Sequence, residues 1–447
     1  MKLPSLSKFP RFSFRKPAPR SAFVWRWIYP LVLIGFIFAA GVLAEAGLKN
    51  ALKIKDGKVT HVETDPTQPG FLAEVVPTPT LLIVETNASN EAVGVTAMSL
   101  AADNKGGWVL QLPVETRNKD GKLLWQIWQD AVSPPPPATS VPSATASTTT
   151  TRATTTTTTR GAATSSTTSI ATLSADSLTA GKTAMGHAVG QLLGFAFPTD
   201  VIVLPTKTLG QLMTSAMPIN YSLQTAVQVD LPNGSQKTLF SAGVVKIQSA
   251  TDVVELFETV ARIESPQTRL KRQTDLWTAW MDALNGAPTA LAGLKSDSPS
   301  LVNFLTALAT GPTQYRTLPL TSEGRFAGFW ILEPDTAATA SLAVQMVPFP
   351  LMVDPGARLR TALYNGTVNH DLTLAAANRM VENGAQIDVL GNAVTLDVAT
   401  SEIVYYDSQL KTRVENFGRS LGIDKVRLLE GESAVDVTVT LGADFKG

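Results

Sequence analysis

A long apolar stretch close to the N-terminus constrains this chain more than any other feature. Residues 27–44 (WIYPLVLIGFIFAAGVLA) contain no charged side chain. As a helix that rises about 1.5 Å per residue, they nearly match the roughly 30 Å hydrocarbon core of a bilayer. The charges of the preceding residues 1–26 are all basic, and such a flank stays in the cytoplasm. The sequence therefore predicts a cytoplasmic tail, a single transmembrane helix at residues 27–46, and the rest of the chain outside the cell membrane.

A cleaved signal peptide is the alternative interpretation of the same stretch. Ala44-Glu45-Ala46 has the small-x-small pattern that a signal peptidase accepts. The apolar run is longer than the usual signal-peptide core of about 7–15 residues, which favours a retained anchor. Both interpretations place the bulk of the chain outside the membrane, beginning with a polar stalk at residues 47–70.

Composition excludes several classes of function. The chain carries 37 basic and 37 acidic side chains, and its net charge of zero gives no reason to expect a nucleic-acid partner. Cysteine is absent, which excludes disulfides, thiol chemistry and Cys-ligated zinc. His61, His187 and His370 lie in three separate regions and form no cluster of metal ligands. An exported chain without disulfides has to be stabilised by packing alone, which fits a bacterial envelope.

A Pro/Ser/Thr-rich segment interrupts the chain at residues 133–174. Arg152 and Arg160 are its only charged residues. It has too few apolar side chains to offset the entropy of ordering its backbone, so we expect it to be disordered. Closure entropy grows slowly with loop length, so a single domain would tolerate this segment as an insertion. A linker between two domains is the alternative.

Hydrophobic periodicity in the remaining sequence predicts an α/β fold. Apolar runs bounded by turn residues predict strands at residues 80–86, 92–100, 107–113 and 198–204. Residues 123–128 fit either a strand or a helix. Helical spacing places Trp277 and Trp280 on one apolar face and predicts helices at residues 184–193, 206–216, 251–263, 270–284 and 300–309. We expect a larger α/β domain at residues 71–345, followed by two strand-helix-strand units that form a small α/β domain at residues 355–447.

The C-terminal part resembles a known domain. Its landmarks are Leu363-Tyr364-Asn365-Gly366-Thr367, Ala375-Ala376-Ala377 before Gly384, Gly391-Asn392-Ala393, Val404-Tyr405-Tyr406, Leu421-Gly422 and residues 436–444 (DVTVTLGAD). In these residues the chain is similar to the LytR C-terminal domain that follows LytR-CpsA-Psr (LCP) proteins of actinobacteria. The resemblance implies a cell-envelope protein without implying a reaction.

The middle of the chain resembles the catalytic domain of the same family, with substitutions in its motifs. Leu192-Leu193-Gly194 with Pro198 is similar to the family's Leu-Gly-Ile-Pro turn. Arg269-Leu270-Lys271-Arg272-Gln273 is similar to its Arg-x-x-Arg-Gln segment. In contrast, Thr80 stands before the first strand where the family has Asp. Leu112-Pro113-Val114-Glu115 has Val where the family's Ile-Pro-Arg-Asp motif has Arg.

The resemblance implies a chemistry and a set of site residues. The family is thought to transfer a glycopolymer from a polyprenyl-pyrophosphate lipid to peptidoglycan, which requires guanidinium groups on the pyrophosphate and a divalent metal on carboxylates. Carried over to this sequence, the pyrophosphate-binding candidates are Arg262, Arg269, Arg272 and Gln273. Glu115 is the candidate ligand for Mg²⁺. The family's metal-binding Asp positions are not matched, so we expect weakened or lost catalysis.

Each candidate residue also has a structural interpretation. The three arginines can be solvated side chains beside an amphipathic helix, and Glu115 can be a polar strand end. The sequence therefore supports two hypotheses: an LCP glycopolymer transferase or its inactive relative, and a non-catalytic wall-binding adaptor that acts through the C-terminal domain. Convergence of the arginines on one apolar cavity would favour the first hypothesis. A transcriptional role conflicts with the predicted topology, because residues 1–26 are too short for a DNA-binding fold.

Overall fold

The computed structural model describes residues 63–133, 173–261, 264–326 and 328–446. The predicted cytoplasmic tail and transmembrane helix, most of the stalk and nearly all of the Pro/Ser/Thr-rich segment lie outside these residues and stay predictions. No helix among the described residues combines the length and the apolar character that a membrane span requires.

The elements alternate between strands and helices along the described chain. Up to residue 346 they are β1 (Leu72–Glu74), β2 (Thr80–Thr86), β3 (Ala92–Leu100), β4 (Gly107–Leu112), α1 (Leu124–Val132), α2 (Ala175–Leu193), β5 (Asp200–Pro205), α3 (Thr206–Met213), β6 (Ile219–Leu223), β7 (Val227–Asp230), β8 (Gln236–Phe240), β9 (Gly243–Ile247), α4 (Ala250–Glu258), α5 (Pro266–Asn285), α6 (Pro288–Ala292), α7 (Pro299–Ala309), β10 (Thr313–Thr317), β11 (Leu320–Phe326), β12 (Phe329–Pro334) and α8 (Thr336–Met346). After it come β13 (Leu359–Asn365), α9 (Asp371–Glu382), β14 (Ala385–Asn392), β15 (Glu402–Tyr405), α10 (Lys411–Leu421), β16 (Val426–Leu428) and β17 (Val437–Leu441). The predicted α/β fold class is confirmed.

The central sheet has the strand order β10-β4-β3-β2-β5. Strands β2, β3 and β4 pair antiparallel in succession, while β5 and β10 add parallel to β2 and β4. Every residue of β2 is buried. A strand covered on both faces has a continuous apolar run instead of an alternating one, and residues 80–86 have this pattern. The strands predicted there and at residues 92–100 and 107–113 are confirmed.

Helices cover both faces of this sheet. On one face, Leu81 and Ile83 of β2 belong to a core that contains Trp277 and Trp280 of α5. The two indole rings are fully buried, with centroids 5.2 Å apart, which confirms the predicted apolar face of this helix. On the other face, α1 and α2 pack over Leu82 and Val84. The sheet is thus the middle layer of a three-layer α/β arrangement.

A second sheet forms the C-terminal part, with the strand order β1-β14-β13-β17-β15-β16. Strand β13 lies between β14 and β17 and is parallel to both, and α9 and α10 contribute Met380 and Phe417 to its core. Strand β1 pairs antiparallel with β14, although it precedes the central sheet in sequence. No pattern in the sequence predicts this pairing, because β1 has only three residues and follows a polar segment.

The observed bounds of several predicted elements differ from the predicted ones, and one undecided element is resolved. Residues 123–128, which fitted either class, begin helix α1. Helix α2 starts at Ala175, nine residues before the predicted start, because Ser174 caps it through the amide of Ser177. Helix α4 ends at Glu258, short of the predicted residue 263. Carbonyl groups at its end and in the following loop accept hydrogen bonds from a side chain of α5.

Candidate functional site

A cavity of about 400 Å³ opens beside the central sheet and contains one of the predicted site arginines. We call it the Arg269 cavity. Its walls come from the start of β3, the segment after β4, helices α1 and α5, the end of α4 and strand β12. The lining residues are Glu91, Ala92, Val93, Val114, Glu115, Trp125, Gln129, Phe257, Glu258, Val260, Arg269 and Phe329. Six separate parts of the chain therefore meet at this site.

One wall of the Arg269 cavity is apolar and aromatic. The rings of Trp125 and Phe329 lie 5.9 Å apart at an angle of 34°. Phe257 is fully buried behind them, whereas Val260 and Phe329 are exposed at the opening. Apolar walls with a few convergent polar groups are typical of sites for small molecules and lipids.

The polar groups of the cavity centre on an ion pair. Nη2 of Arg269 donates to Oε1 of Glu115, and both side chains are mostly buried, with 13% and 15% of their surface exposed. Oε2 of Glu115 is buried without a hydrogen-bond partner. Val114, next to Glu115, contributes only apolar surface to the cavity. The charge of Arg269 is therefore already balanced inside the protein.

Two further carboxylates line the cavity, and the sequence analysis missed both. The carboxylate of Glu91 accepts a hydrogen bond of 2.8 Å from Nδ2 of the Asn87 side chain. The carboxylate of Glu258 accepts one from the hydroxyl of Thr206. Three carboxylates thus stand beside one guanidinium group. The sequence signal was weak, because Glu91 lies in a turn and Glu258 ends an ordinary amphipathic helix.

Arg272 lies away from the cavity and has a structural role. Only 4% of its side chain is exposed. It forms a bidentate ion pair with Glu264, in which Nε donates to Oε1 at 3.0 Å and Nη2 donates to Oε2 at 2.8 Å. It also donates to the carbonyl oxygens of Leu256 and, at 2.6 Å, of Thr259. These bonds explain why α4 ends early, because its last carbonyls and the following loop are held by this guanidinium group.

Of the remaining predicted residues, one supports the walls of the cavity and another lies outside the described residues. Gln273 is buried and donates from Nε2 to the carbonyl oxygens of Phe257 at 2.9 Å and Val93 at 3.3 Å. It thereby fixes two segments that line the cavity. Arg262 lies outside the described residues. Glu115 faces Arg269, and within the described part of the chain no group of three or more His, Asp or Glu side chains is arranged to hold a metal ion.

A buried polar chain in the sheet adjoins the cavity. Glu85 of β2 is completely buried, and its Oε1 accepts a hydrogen bond of 2.5 Å from Thr96, which in turn accepts one of 3.0 Å from Gln111. Burial raises the pKa of the Glu85 carboxyl to about 8. Its Oε2 has no hydrogen-bond partner. Gly94 leaves the space that this carboxyl and the ring of Phe257 share, since a Cβ there would lie 3.0 Å from both.

Comparison with known proteins returns distant structural neighbours. No protein-family model and no curated protein sequence matches the chain. A putative transcription regulator from Eubacterium siraeum has 10% identity and a TM-score of 0.40, and the alignment covers 65% of this chain and 98% of that one. B. subtilis TagV has 12% identity and a TM-score of 0.38, and the alignment covers 60% of this chain and 95% of that one. A third neighbour is a LytR-CPS2A-psr family protein, YwtF (TagT), with bound octaprenyl pyrophosphate lipid. It has 10% identity and a TM-score of 0.36, and the alignment covers 65% of this chain and 92% of that one.

These neighbours include proteins of the LytR-CPS2A-Psr family, the family suggested by the sequence motifs. Their TM-scores are all below 0.5 and their identities are near 10%. The similarity is too distant to transfer a site or an activity to this chain. The function has to be argued from the residues of the Arg269 cavity itself.

Proposed function

We propose that the chain is a membrane-anchored envelope protein of the LCP type that binds an amphiphilic wall glycan or glycolipid in the Arg269 cavity without transferring it. One observation carries the proposal: the cavity joins an aromatic wall to a guanidinium group whose charge is already neutralised by Glu115. The predicted anchor at residues 27–46 and the resemblance of the C-terminal part to the LytR C-terminal domain support the envelope location.

The charges of the cavity favour a neutral headgroup over a pyrophosphate. A pyrophosphate would meet the carboxylates of Glu91, Glu115 and Glu258, and Arg269 is the one basic side chain among the described residues that line the cavity. Like charges a few ångströms apart repel strongly in a partly buried site. A second guanidinium group is not supplied by Arg272, because Glu264 and two backbone carbonyls occupy it. The arrangement therefore supports the non-catalytic hypothesis.

The same groups suit a polyhydroxylated ligand with an apolar portion. Ionised carboxylates accept hydrogen bonds from hydroxyl groups, and a charged acceptor makes them stronger than neutral ones. Trp125 and Phe329 present ring surface on which the apolar portion of the ligand can pack. Glu258 and Gln129 add polar atoms on either side of this surface.

Two short ligands test the proposal on the full chain in lipid nanodiscs. Octyl glucoside represents a neutral glycolipid, and geranyl pyrophosphate, with and without Mg²⁺, represents the charged carrier. Calorimetric titration should show saturable binding of the glucoside and weaker binding of the pyrophosphate. Replacing Glu115 by Gln frees Arg269, so we expect Glu115→Gln to raise the affinity for the pyrophosphate by about tenfold.

The control variant is Arg316→Met, which removes an arginine outside the cavity that lies over the ring of Trp108. It should leave both affinities unchanged, whereas Arg269→Met should abolish the gain produced by Glu115→Gln. Tight binding of pyrophosphate by the unmodified chain, strengthened by Mg²⁺ and followed by glycopolymer transfer, would contradict the proposal and restore the transferase hypothesis.

A further inference from the structure

The opening of the Arg269 cavity continues into an exposed aromatic surface on one β-hairpin. Strands β11 and β12 form this hairpin, and Phe326 pairs with Phe329 as the last pair before the turn. Phe326 is 74% exposed and Phe329 is 58% exposed. Next to them, the guanidinium group of Arg325 lies 4.1 Å from the centroid of the Trp330 ring. We call these four residues the aromatic lip.

The composition of the aromatic lip fits the interface of a lipid bilayer. Leaving two phenylalanines in water is unfavourable, and together they form an apolar tip flanked by an aromatic ring and a cation. Aromatic rings prefer the headgroup region of a membrane, and an arginine there meets anionic lipid phosphates. Arg325 and Trp330 form the next pair of the hairpin, so the stacked cation lies one residue farther from the turn than the two phenylalanines.

The aromatic lip is also continuous with the cavity. Phe329 belongs to both, since its ring contacts Trp125 on the cavity wall. Val260, on the other side of the opening, is 61% exposed. An amphiphile could therefore move from a membrane surface along Phe329 into the cavity without exposing its apolar part to water.

The predicted anchor brings the hairpin within reach of a bilayer. The apolar stretch ends at residue 44, and the described part of the chain begins at residue 63. The intervening residues 45–62 extend to about 60 Å at most.

We propose that the aromatic lip contacts the surface of an anionic lipid bilayer and that amphiphiles enter the Arg269 cavity there. The route of entry rests on the ligand binding in the proposed function, whereas contact between the lip and the bilayer rests only on the predicted anchor. The two parts can therefore fail separately.

The absence of cysteine from the chain permits a direct test. Gly324, in the same hairpin, has open space around its Cβ position, so Gly324→Cys can carry an environment-sensitive dye. Full-length protein is reconstituted in vesicles of phosphatidylcholine and phosphatidylglycerol that contain a doxyl-labelled quencher lipid. We expect strong quenching of the dye at position 324. At the control position, Val244→Cys in another exposed strand, we expect little quenching.

A second substitution separates membrane contact from simple proximity. Adding Phe326→Ser should lower the membrane-contacting population roughly tenfold, the loss expected when a phenyl ring leaves apolar surroundings. Phe326 does not line the cavity, so binding of octyl glucoside should be unchanged. Equal quenching at positions 324 and 244 would overturn the inference. Quenching at position 324 that stays unchanged in the Phe326→Ser variant would also overturn it. A blue-shifted dye without quenching would instead indicate a protein contact and would also overturn it. Retained quenching without glucoside binding would contradict the proposed function alone.

Discussion

Glu85 is the residue whose environment departs most from its ordinary one. Its carboxyl is completely buried, and burial raises its pKa to about 8 from an ordinary value near 4.5. The folded state therefore holds one more proton than the unfolded state between these two pH values. It follows that the free energy of unfolding falls as the pH rises from about 4.5 to 8.

We expect Glu85→Gln to remove this part of the pH dependence and to stabilise the protein at pH 8. The gain at pH 8 should be a few kcal/mol, up to about 5 kcal/mol from the size of the shift. The measurement is chemical unfolding at pH 5 and pH 8. Glu74→Gln, an exposed carboxyl on β1, is the matched control and should leave the difference between the two pH values unchanged. Identical pH dependence in Glu85→Gln and the unmodified protein would show that Glu85 titrates normally.

At the scale of elements, one side chain of the second sheet helps to hold the segment before β1. Nδ2 of Asn392 donates to the carbonyl oxygens of Pro66 at 2.8 Å and Gln68 at 2.7 Å. These bonds hold the segment that leads into β1, while β1 itself has only three paired residues on β14. Gly391 permits the close approach, since a Cβ there would lie 2.4 Å from the carbonyl oxygen of Phe71.

Replacing Asn392 by Ala should release this segment without unfolding the sheet. We expect faster hydrogen exchange at the amides of β1 and unchanged exchange in β13, because the segment loses both of its side-chain anchors. Asn383→Ala offers a control, since the amide of Asn383 caps its own helix α9 through the carbonyl of Arg379. If exchange in β13 rises as much as in β1, the segment is an integral part of the sheet and not an attached edge.

At the scale of the whole molecule, Arg358 joins the two sheets. It donates from Nε to the carbonyl oxygen of Gly194 after α2, and from Nη1 to those of Val381 and Ala385 in the C-terminal part, at distances of 2.9 to 3.0 Å. Burial lowers the pKa of its guanidinium group to about 10, which leaves it charged at neutral pH. The described residues from 63 onwards belong to one compact unit.

We expect the described part of the protein to unfold in one calorimetric transition that Arg358→Met divides into two. Removing the guanidinium group removes three hydrogen bonds that link the two parts, each worth about 1.5–3 kcal/mol for a charged donor. Arg316→Met, which removes an arginine near Trp108 that binds only its own strand, should preserve a single transition. Two transitions already present in the unmodified chain would show that the parts are independent domains.

The sequence could predict those elements whose pattern arises from local geometry. The apolar runs of β2, β3 and β4 between turn residues and the helical spacing of Trp277 and Trp280 are patterns of neighbouring positions, which are read directly from the sequence. Arg269 was also found at a cavity, because its motif was recognisable. In contrast, Glu91 and Glu258 gave no signal, since each lies at an ordinary turn or helix end.

Tertiary structure alone decided which side chains meet. Arg269 and Arg272 are one helical turn apart and were predicted to act together. In the folded protein, Arg269 pairs with Glu115, whereas Arg272 binds Glu264 and the end of α4. The burial of Glu85 and the pairing of β1 with β14 likewise depend on residues more than ten positions away. The apolar stretch and the fold class follow from the sequence by itself, because hydrophobic periodicity is a local property. Charge pairing and cavity formation follow only from the folded chain, because they depend on distances between segments that the order of residues does not specify.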